Sequence, residues 1–299
     1  MIKQHLKKVF CYFGYEIARN RSRNRLDLSR LSGNDCLVAG PFLGEFGWEL
    51  MQWQGFIRQL AKFYKSTIVY GRWCSRYFYE DFADQYVGLD INSWDTNAYE
   101  LKDFDYEAWG AGFKDVDLVL ADNRCMALRD TFDQDFVVFG KVSALNSYDV
   151  VVHARSIPVL DGNKTKAKRN WITDRWEELG INLPPLRIAA VGVPELSYCP
   201  SYADDLRGIE TEQLCSVLAS STVCVGPSSG LMHLAALCET PQLVWTSKDY
   251  IGNFGGSAYR YIRSWNPFAT RVRVLTDGGF DPSPEYVRKE LLQFLDALA

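Results

Sequence analysis

The chain has 299 residues, of which 47% are hydrophobic, and a formal net charge of −4. This length suits two compact domains of roughly 100 to 150 residues each. No run of about 20 apolar residues is present, so the composition excludes a helix that spans a membrane. No apolar secretory region with a small-residue cleavage site is evident at the N-terminus, and we therefore expect a cytoplasmic protein.

Cysteine usage points to the same compartment. The eight cysteines include no Cys-x-x-Cys pair, and Cys224 and Cys238 lie inside apolar runs. Cysteines in such positions are typical of reduced thiols that serve as small hydrophobic residues. The pattern predicts neither a disulfide framework nor a zinc site.

Residues 1–30 form a basic N-terminal segment. They contain eight Lys or Arg against Glu16 and Asp27, a net charge of +6 that leaves −10 on the remainder. Apolar residues fall on one helical face between Ile2 and Ile17, so the segment is predicted to be an amphipathic helix. Such a helix can lie on an anionic membrane surface, contact nucleic acid, or pack on the body of the protein with its basic face in solvent.

Residues 31–145 are predicted to form a first domain of alternating strands and helices. Strands are expected at 36–39, 66–70, 117–121 and 136–139, with a helix over about 50–64 between the first two. Strands that alternate with helices indicate a parallel sheet covered by helices. The chain is therefore assigned to the α/β class.

The loop after the first predicted strand concentrates polar and flexible residues. Between Gly40 and Met51 lie two carboxylates, Glu45 and Glu49, among glycines and aromatic residues. A carboxylate at a strand-to-helix junction can accept a proton from a substrate hydroxyl. The alternatives are an ordinary loop carboxylate for Glu45 and a first-turn residue that matches the helix dipole for Glu49.

Residues 146–299 are predicted to form a second α/β domain. Strands are expected at 149–155, 187–192, 223–227 and 242–246, with helices at 174–179 and 211–220, after 230, and from Pro284 onward. The order of elements again predicts a parallel sheet with helices on its faces.

The segment 223–236 has the strongest local signal. A β-branched run stops at Gly-Pro-Ser-Ser-Gly and a helix-compatible run begins at once. Ser228 or Ser229 can cap this helix, which leaves the following backbone N–H groups, from Gly230 onward, facing an anion such as a diphosphate. His233 falls in the first turn of the helix. The alternative is an ordinary strand–helix unit with a capped helix.

This segment resembles the signature of glycosyltransferase family 9, the heptosyltransferases, and of related GT-B enzymes. In that family a Gly-Asn-Asp-Ser-Gly-x-x-His-x-Ala-x-Ala run followed by Pro binds the diphosphate of a nucleotide-sugar donor. The match includes Gly226, Ser229, Gly230 and His233, while Ser228 stands where the family has Asp. Further segments resemble the same family in order and spacing: 170–179, 190–195 and 206–219.

The resemblance implies a GT-B-like fold, with two Rossmann-like domains that face each other across a cleft and a last helix that is a candidate to pack back on the first domain. It implies a base at Gly44-Glu45 or at Gly47-Trp48-Glu49, and no metal or other cofactor. Arg155 and Arg169 are the preferred cations for the diphosphate, with Lys248 a third candidate. The residues it assigns to the donor are Gly226, Ser228, Ser229, Gly230, Leu231, Met232, His233, Arg155, Arg169 and Glu195, the last of these at the ribose.

The function implied is transfer of a sugar from a nucleotide-diphospho-sugar to a glycan or lipid-linked acceptor, with inversion, in cell-surface polysaccharide synthesis at the inner face of the membrane. Two alternatives stay open: transfer to nucleic acid, and a non-catalytic nucleotide-sugar-binding protein. A metal-dependent glycosyltransferase of the other fold is a rival because of the Asp-x-Asp pairs at 103, 115 and 133. Three such pairs in one acidic stretch are more typical of turns and solvated edges.

Overall fold

The computed structural model describes residues 33–91, 101–121, 134–144, 147–158, 168–248 and 256–299. The predicted amphipathic helix within residues 1–30 lies outside these ranges. So does most of the glycine- and lysine-rich segment 161–169, which follows the first predicted strand of the second domain. The chain divides into two compact units, residues 1–137 and 138–299. Each unit is an α/β domain with its own parallel sheet.

The first domain is built on a four-stranded sheet in the order β3-β2-β1-β4. Its strands are β1 (Cys36–Phe42), β2 (Ser66–Arg72), β3 (Gln85–Leu89) and β4 (Asp117–Val119). Two short helical turns, Phe46–Trp48 and the π-helical Glu49–Trp53, lead from β1 into α1 (Gln54–Ala61). A 3-10 turn (Trp73–Phe78) follows β2, and α2 spans Tyr106–Gly110. All three strand pairs are parallel.

The second domain contains a six-stranded parallel sheet. Its strands are β5 (Val150–Val152), β7 (Ile188–Ala190), β9 (Asp204–Asp205), β10 (Val223–Pro227), β11 (Gln242–Trp245) and β12 (Val272–Leu275), and a separate antiparallel pair joins β6 (Ala154–Arg155) to β8 (Ser197–Tyr198). The helices are α3 (Thr173–Gly180), α4 (Thr211–Ala219), α5 (Gly230–Leu237), α6 (Gly256–Arg263) and α7 (Pro284–Leu298).

The strand order of the large sheet is β12-β11-β10-β5-β7-β9. Taken in chain order within the domain, this is the 3-2-1-4-5-6 arrangement of the Rossmann fold. The chain first builds outward from β5 to β9 and then returns to build the other half from β10. The direction of winding therefore reverses between β5 and β10, at the centre of the sheet.

Three tryptophans organise the core under one face of this sheet. The rings of Trp171, Trp176 and Trp245 lie with centroids 5.0 to 5.5 Å apart and are each at most 2% exposed. The last helix, α7, adds Val287, Leu291 and Phe294 to the same cluster of buried residues. Among the residues that the structure describes, this helix is thus part of the core of the second domain.

The predicted α/β class with two Rossmann-like domains is confirmed. One predicted strand is wrong: residues 136–139 are irregular, and the backbone N–H of Phe139 donates to the carbonyl of Leu237 instead of to a neighbouring strand. The short apolar run satisfies its backbone against α5. Several elements were not predicted, among them β3, α2, α6 and β12.

Candidate functional site

The reversal of winding in the second domain brings the ends of β5 and β10 side by side. These strands pair in parallel, with Val152 opposite Val225, so their carboxyl ends open at the same edge of the sheet. In open α/β sheets ligands bind at this kind of switch point, because the two following connections diverge and leave a crevice. His153 follows β5 directly and Ser228 follows β10 directly.

His153 is seated between glycines from the two neighbouring strand ends. A Cβ on Gly226 would lie 3.0 Å from the backbone oxygen of His153, and one on Gly192 would lie 3.1 Å from its imidazole. Gly192 also has φ +134°, which side-chain-bearing residues rarely adopt. Gly226 therefore has a packing role at this point, since its missing side chain lets the histidine backbone approach.

The imidazole of His153 binds the residue that begins α5. Its Nδ1 lies 2.9 Å from Oγ of Ser229, the N-cap residue of that helix. Burial lowers the pKa of His153 to about 3, with Arg155 and Arg169 adding to the effect. The ring is therefore neutral at physiological pH, and one of its two tautomers accepts a hydrogen bond from the serine hydroxyl.

The side chain of Ser229 is bonded to His153 and makes no capping hydrogen bond to α5. Among the described residues no side chain accepts a hydrogen bond from the first turn, and the first backbone bond of the helix runs from His233 N–H to the Ser229 carbonyl at 3.4 Å. Within the part of the chain that the structure describes, the N–H groups of Gly230, Leu231 and Met232 have no acceptor. Three converging N–H donors with the positive end of the helix dipole form an anion site.

The turn before α5 is fixed by two other groups. The Ser228 hydroxyl accepts a hydrogen bond from the Tyr261 hydroxyl at 3.1 Å, and the Ser228 carbonyl accepts one from the Arg169 guanidinium at 3.1 Å. Ser228 is only 2% exposed. Arg169 is thereby held at the mouth of the helix, as expected for a cation beside a bound anion.

His233 is the fourth residue of α5, and its ring lies in a cluster of aromatic rings. Its ring stacks on Tyr261 with centroids 5.2 Å apart and meets Trp265 edge to face at 4.5 Å. It is 7% exposed, and its Nδ1 has no hydrogen-bond partner among the described residues. Burial, together with the charges of Arg169 and Arg260, lowers the pKa of His233 to about 3. A buried polar atom without a partner is costly unless a ligand satisfies it.

The other predicted cation and ribose residues of the site differ in burial and in partners. Arg155 is 3% exposed and donates to the Asn170 side chain at 2.6 Å. Asn170, the first residue of the segment 170–179, therefore orients this arginine. Glu195 is exposed on the 3-10 turn after β7. Lys248 is exposed and lies 3.9 Å from Asp277, too long for a strong ion pair.

In the first domain, the loop after β1 is held by a neighbouring arginine. Arg72, the last residue of β2, donates to the Gly44 carbonyl at 2.8 Å and also to the Leu43 carbonyl. The carbonyl of Glu45 then accepts hydrogen bonds from the N–H groups of Trp48 and Glu49, so Glu45 occupies an N-cap position without a capping bond from its own side chain. Its side chain is half-buried at the edge of the sheet.

Glu49 has a different environment. It is 1% exposed and accepts hydrogen bonds from the hydroxyls of Ser75 at 2.8 Å and Tyr79 at 2.9 Å. Burial raises its pKa, against the opposing effect of these hydrogen bonds and of Arg72. Both carboxylate oxygens are thus engaged in joining the π-helical turn to the 3-10 turn. This geometry favours Glu45 as the carboxylate that meets a substrate.

Sequence reasoning missed part of the second-domain site. Arg260, Tyr261 and Trp265 come from α6 and the residues after it, and the Arg260 guanidinium lies 5.0 Å from the centre of the Trp265 ring. The signal available in the sequence was an Arg-Tyr pair followed by Trp within ten residues of a glycine pair. Without the fold, nothing connects that segment to α5.

Neither a membrane-spanning helix nor a metal-binding cluster is found among the described residues. No helix among them is long and apolar enough to cross a membrane. No group of three or more His, Cys, Asp or Glu side chains among them is arranged to hold a metal ion.

Comparison with protein-family models and with curated proteins gives no match to this sequence. Several solved structures are similar in fold. The Escherichia coli ADP-heptose lipopolysaccharide heptosyltransferase II aligns with a TM-score of 0.57 and 16% identity, over 88% of this chain and 99% of that one. A glycosyltransferase family 9 protein from Veillonella parvula gives 0.56 and 11%, over 88% and 97%.

The E. coli heptosyltransferase WaaC, solved with ADP, gives a TM-score of 0.53 and 12% identity over 88% of this chain and all of that one. A further structure of that enzyme contains ADP-2-deoxy-2-fluoro heptose. The predicted resemblance is therefore confirmed at the level of the fold, which is that of GT-B glycosyltransferases.

Proposed function

We propose that this protein is a glycosyltransferase that binds the diphosphate of a nucleotide-sugar at the start of α5. The observation that carries the proposal is the serine at the N-cap of that helix. Its hydroxyl is bonded to His153 and leaves three N–H donors without an acceptor in the described chain, at the switch point of a Rossmann-ordered sheet. Exposed helix N-termini at such points bind phosphate groups.

The cations around α5 complement this role. Arg169 lies at the Ser228 carbonyl, and both Arg169 and Arg260 are close enough to His233 to lower its pKa. Guanidinium groups match phosphate oxygens in geometry and keep their charge in partly buried sites. In this proposal they and the helix N-terminus stabilise the negative charge that develops on the leaving nucleoside diphosphate, without a metal ion.

The chemical step is a displacement at the anomeric carbon of the donor sugar. The acceptor hydroxyl oxygen forms a bond to that carbon, the bond from the carbon to the diphosphate oxygen breaks, and its electron pair leaves with the nucleoside diphosphate. The acceptor proton passes to the carboxylate of Glu45. A single displacement of this kind inverts the configuration at the anomeric carbon.

We further propose Glu49 as a positioning residue. Its two hydrogen bonds fix the 3-10 turn against the segment that carries Glu45, and both of its carboxylate oxygens are engaged in the interior. Glu45 is half-buried and follows β1, and in this proposal it is the carboxylate that takes the acceptor proton.

The proposed donor follows from the ligands of similar structures. Because two structures of similar fold contain ADP or an ADP-sugar analogue, an ADP-linked sugar is the first donor to test. The acceptor is proposed to be a glycan or a lipid-linked glycan of the cell surface, reached from the cytoplasmic side, with residues 1–30 on the membrane.

Calorimetric titration of the full chain with ADP, UDP and GDP tests the site, and Arg169→Gln is the informative variant. We expect one of the three nucleotides to bind with micromolar affinity and the variant to bind it at least about tenfold more weakly, because one charged hydrogen bond is lost. Binding of none of the three contradicts the proposal. Binding without hydrolysis of any nucleotide-sugar, and without transfer to any glycan, favours a binding protein instead of an enzyme.

A further inference from the structure

We propose that the indole ring of Trp73 is a stacking platform for a sugar ring of the acceptor. The proposal concerns the first domain and rests on the proposed function for the identity of the occupant. Trp73 begins the 3-10 turn that follows β2. Trp73 is 59% exposed.

One face of the indole is packed and the other is open. A Cβ on Gly88 would lie 2.3, 2.6 and 2.7 Å from three adjacent atoms of the Trp73 ring, so the ring lies flat on the backbone of that glycine in β3. No other residue type fits at Gly88 without displacing the ring. An exposed fraction of 59% then leaves most of the opposite face in solvent. The sequence thus holds a large flat apolar surface outward in one fixed orientation.

This surface lies at the same sheet edge as the proposed base. The residue before Trp73 is Arg72, whose guanidinium donates to the Gly44 carbonyl at 2.8 Å, one residue before Glu45. The turn that begins at Trp73 also packs on the segment after Glu45, with the rings of Phe46 and Phe78 at 5.8 Å and the Ser75 hydroxyl 2.8 Å from Glu49. Trp73 and the segment that carries Glu45 therefore both lie at the carboxyl-end edge of this sheet.

A sugar is the occupant that fits this chemistry. An aromatic face carries negative charge density, and the C–H bonds on the flat side of a pyranose ring present weak positive charge to it. The hydroxyl groups of the same ring point outward, where backbone and carboxylate groups can bind them. An apolar peptide would need a groove or a second apolar wall beside the indole. The packed face of the Trp73 ring instead lies on the backbone of Gly88.

The test uses an array of neutral mono- and oligosaccharides, followed by calorimetry with the glycan that binds most tightly. Trp73→Ala is expected to weaken that glycan by at least about tenfold, and Trp73→Phe to restore most of the affinity, because a smaller ring still stacks. The matched control is Phe63→Ala. Phe63 is 76% exposed and precedes β2, so it lies at the opposite edge of the same sheet.

Three outcomes overturn the inference: no glycan on the array binds the wild type, Trp73→Ala binds as the wild type does, or Phe63→Ala loses as much affinity. A loss of nucleotide affinity in Trp73→Ala with glycan binding unchanged also overturns it, since the ring would then stack on a base. The same protein samples are also titrated with ADP, UDP and GDP, so that a loss of glycan affinity is told apart from a loss of nucleotide affinity. Trp73-dependent glycan binding without any nucleotide binding leaves the platform standing and contradicts the transferase.

Discussion

Replacement of Ser229 by Asp tests the anion site directly. The native hydroxyl is bonded to His153 at 2.9 Å and does not cap α5. An Asp at an N-cap accepts hydrogen bonds from the N–H groups of the second and third helical residues, here Leu231 and Met232. The substitution therefore supplies an internal anion to the groups that we propose for the diphosphate, and adds a negative charge beside it.

The two effects have opposite consequences for stability and large ones for binding. The new cap stabilises the helix by about 0.5 to 2 kcal/mol, and the lost hydrogen bond to His153 costs about 1 kcal/mol, so the free protein should keep nearly its native stability. The repulsion between a carboxylate and one phosphate charge about 5 Å away is roughly 3 kcal/mol at an effective dielectric constant of 20. Nucleotide affinity should fall by about a hundredfold.

Calorimetry with the nucleotide that binds the wild type, together with thermal unfolding of both proteins, measures these quantities. Ser283→Asp is the matched control, because Ser283 caps α7 and its hydroxyl already accepts from the Tyr286 N–H at 3.3 Å. We expect that variant to bind nucleotide as the wild type does. If Ser229→Asp binds the nucleotide with native affinity, the diphosphate does not bind at the start of α5 and the reasoning is refuted.

Further predictions concern the carboxylates, the histidines and one glycine. Glu45→Gln should reduce transfer by about a hundredfold or more with donor affinity unchanged, and activity that survives this change contradicts the assignment of the base. Glu49→Gln should lower stability by about 1 to 2 kcal/mol, because one hydroxyl loses its acceptor. His233→Phe preserves the ring stack on Tyr261 and should weaken nucleotide binding without loss of stability, as measured by calorimetry and thermal unfolding. Because burial lowers the pKa of His153 and His233 from 6.5 to about 3, the unfolded chain binds more protons below pH 6.5, and the stability that is fully present above about pH 6.5 should be lost as the pH falls toward 3. In unfolding titrations at a series of pH values, His233→Phe should show a shallower loss, and an unchanged slope would argue against a buried neutral ring. Gly226→Ala should destabilise the second domain by about 1 to 3 kcal/mol in urea unfolding, because its Cβ would lie 3.0 Å from the His153 backbone oxygen.

The sequence carried most of the information about the fold. Residues 66–70, 211–220 and 223–227 match β2, α4 and β10 closely because each is a continuous apolar or amphipathic run bounded by polar or glycine residues. The run at 136–139 has the same local composition and forms no strand. Whether a short apolar run enters a sheet depends on which backbone groups lie beside it, and that is a property of the tertiary structure.

For the candidate site, the sequence by itself determined where α5 begins and which small residues stand at its start. Local sterics and capping preferences act within a few residues, so a pattern of Gly, Pro and Ser is sufficient to predict such a turn. It could not decide that Ser229 bonds to His153 instead of capping its own helix, because the partner is 76 residues away.

Only the tertiary structure brought Tyr261 and Arg260 of α6 against the start of α5. It also gave Glu45 and Glu49 different environments. The two carboxylates are four residues apart in one loop, yet one is half-buried and the other accepts two hydrogen bonds in the interior. Burial and electrostatic effects depend on all neighbours in space, and most of those neighbours are distant in the chain.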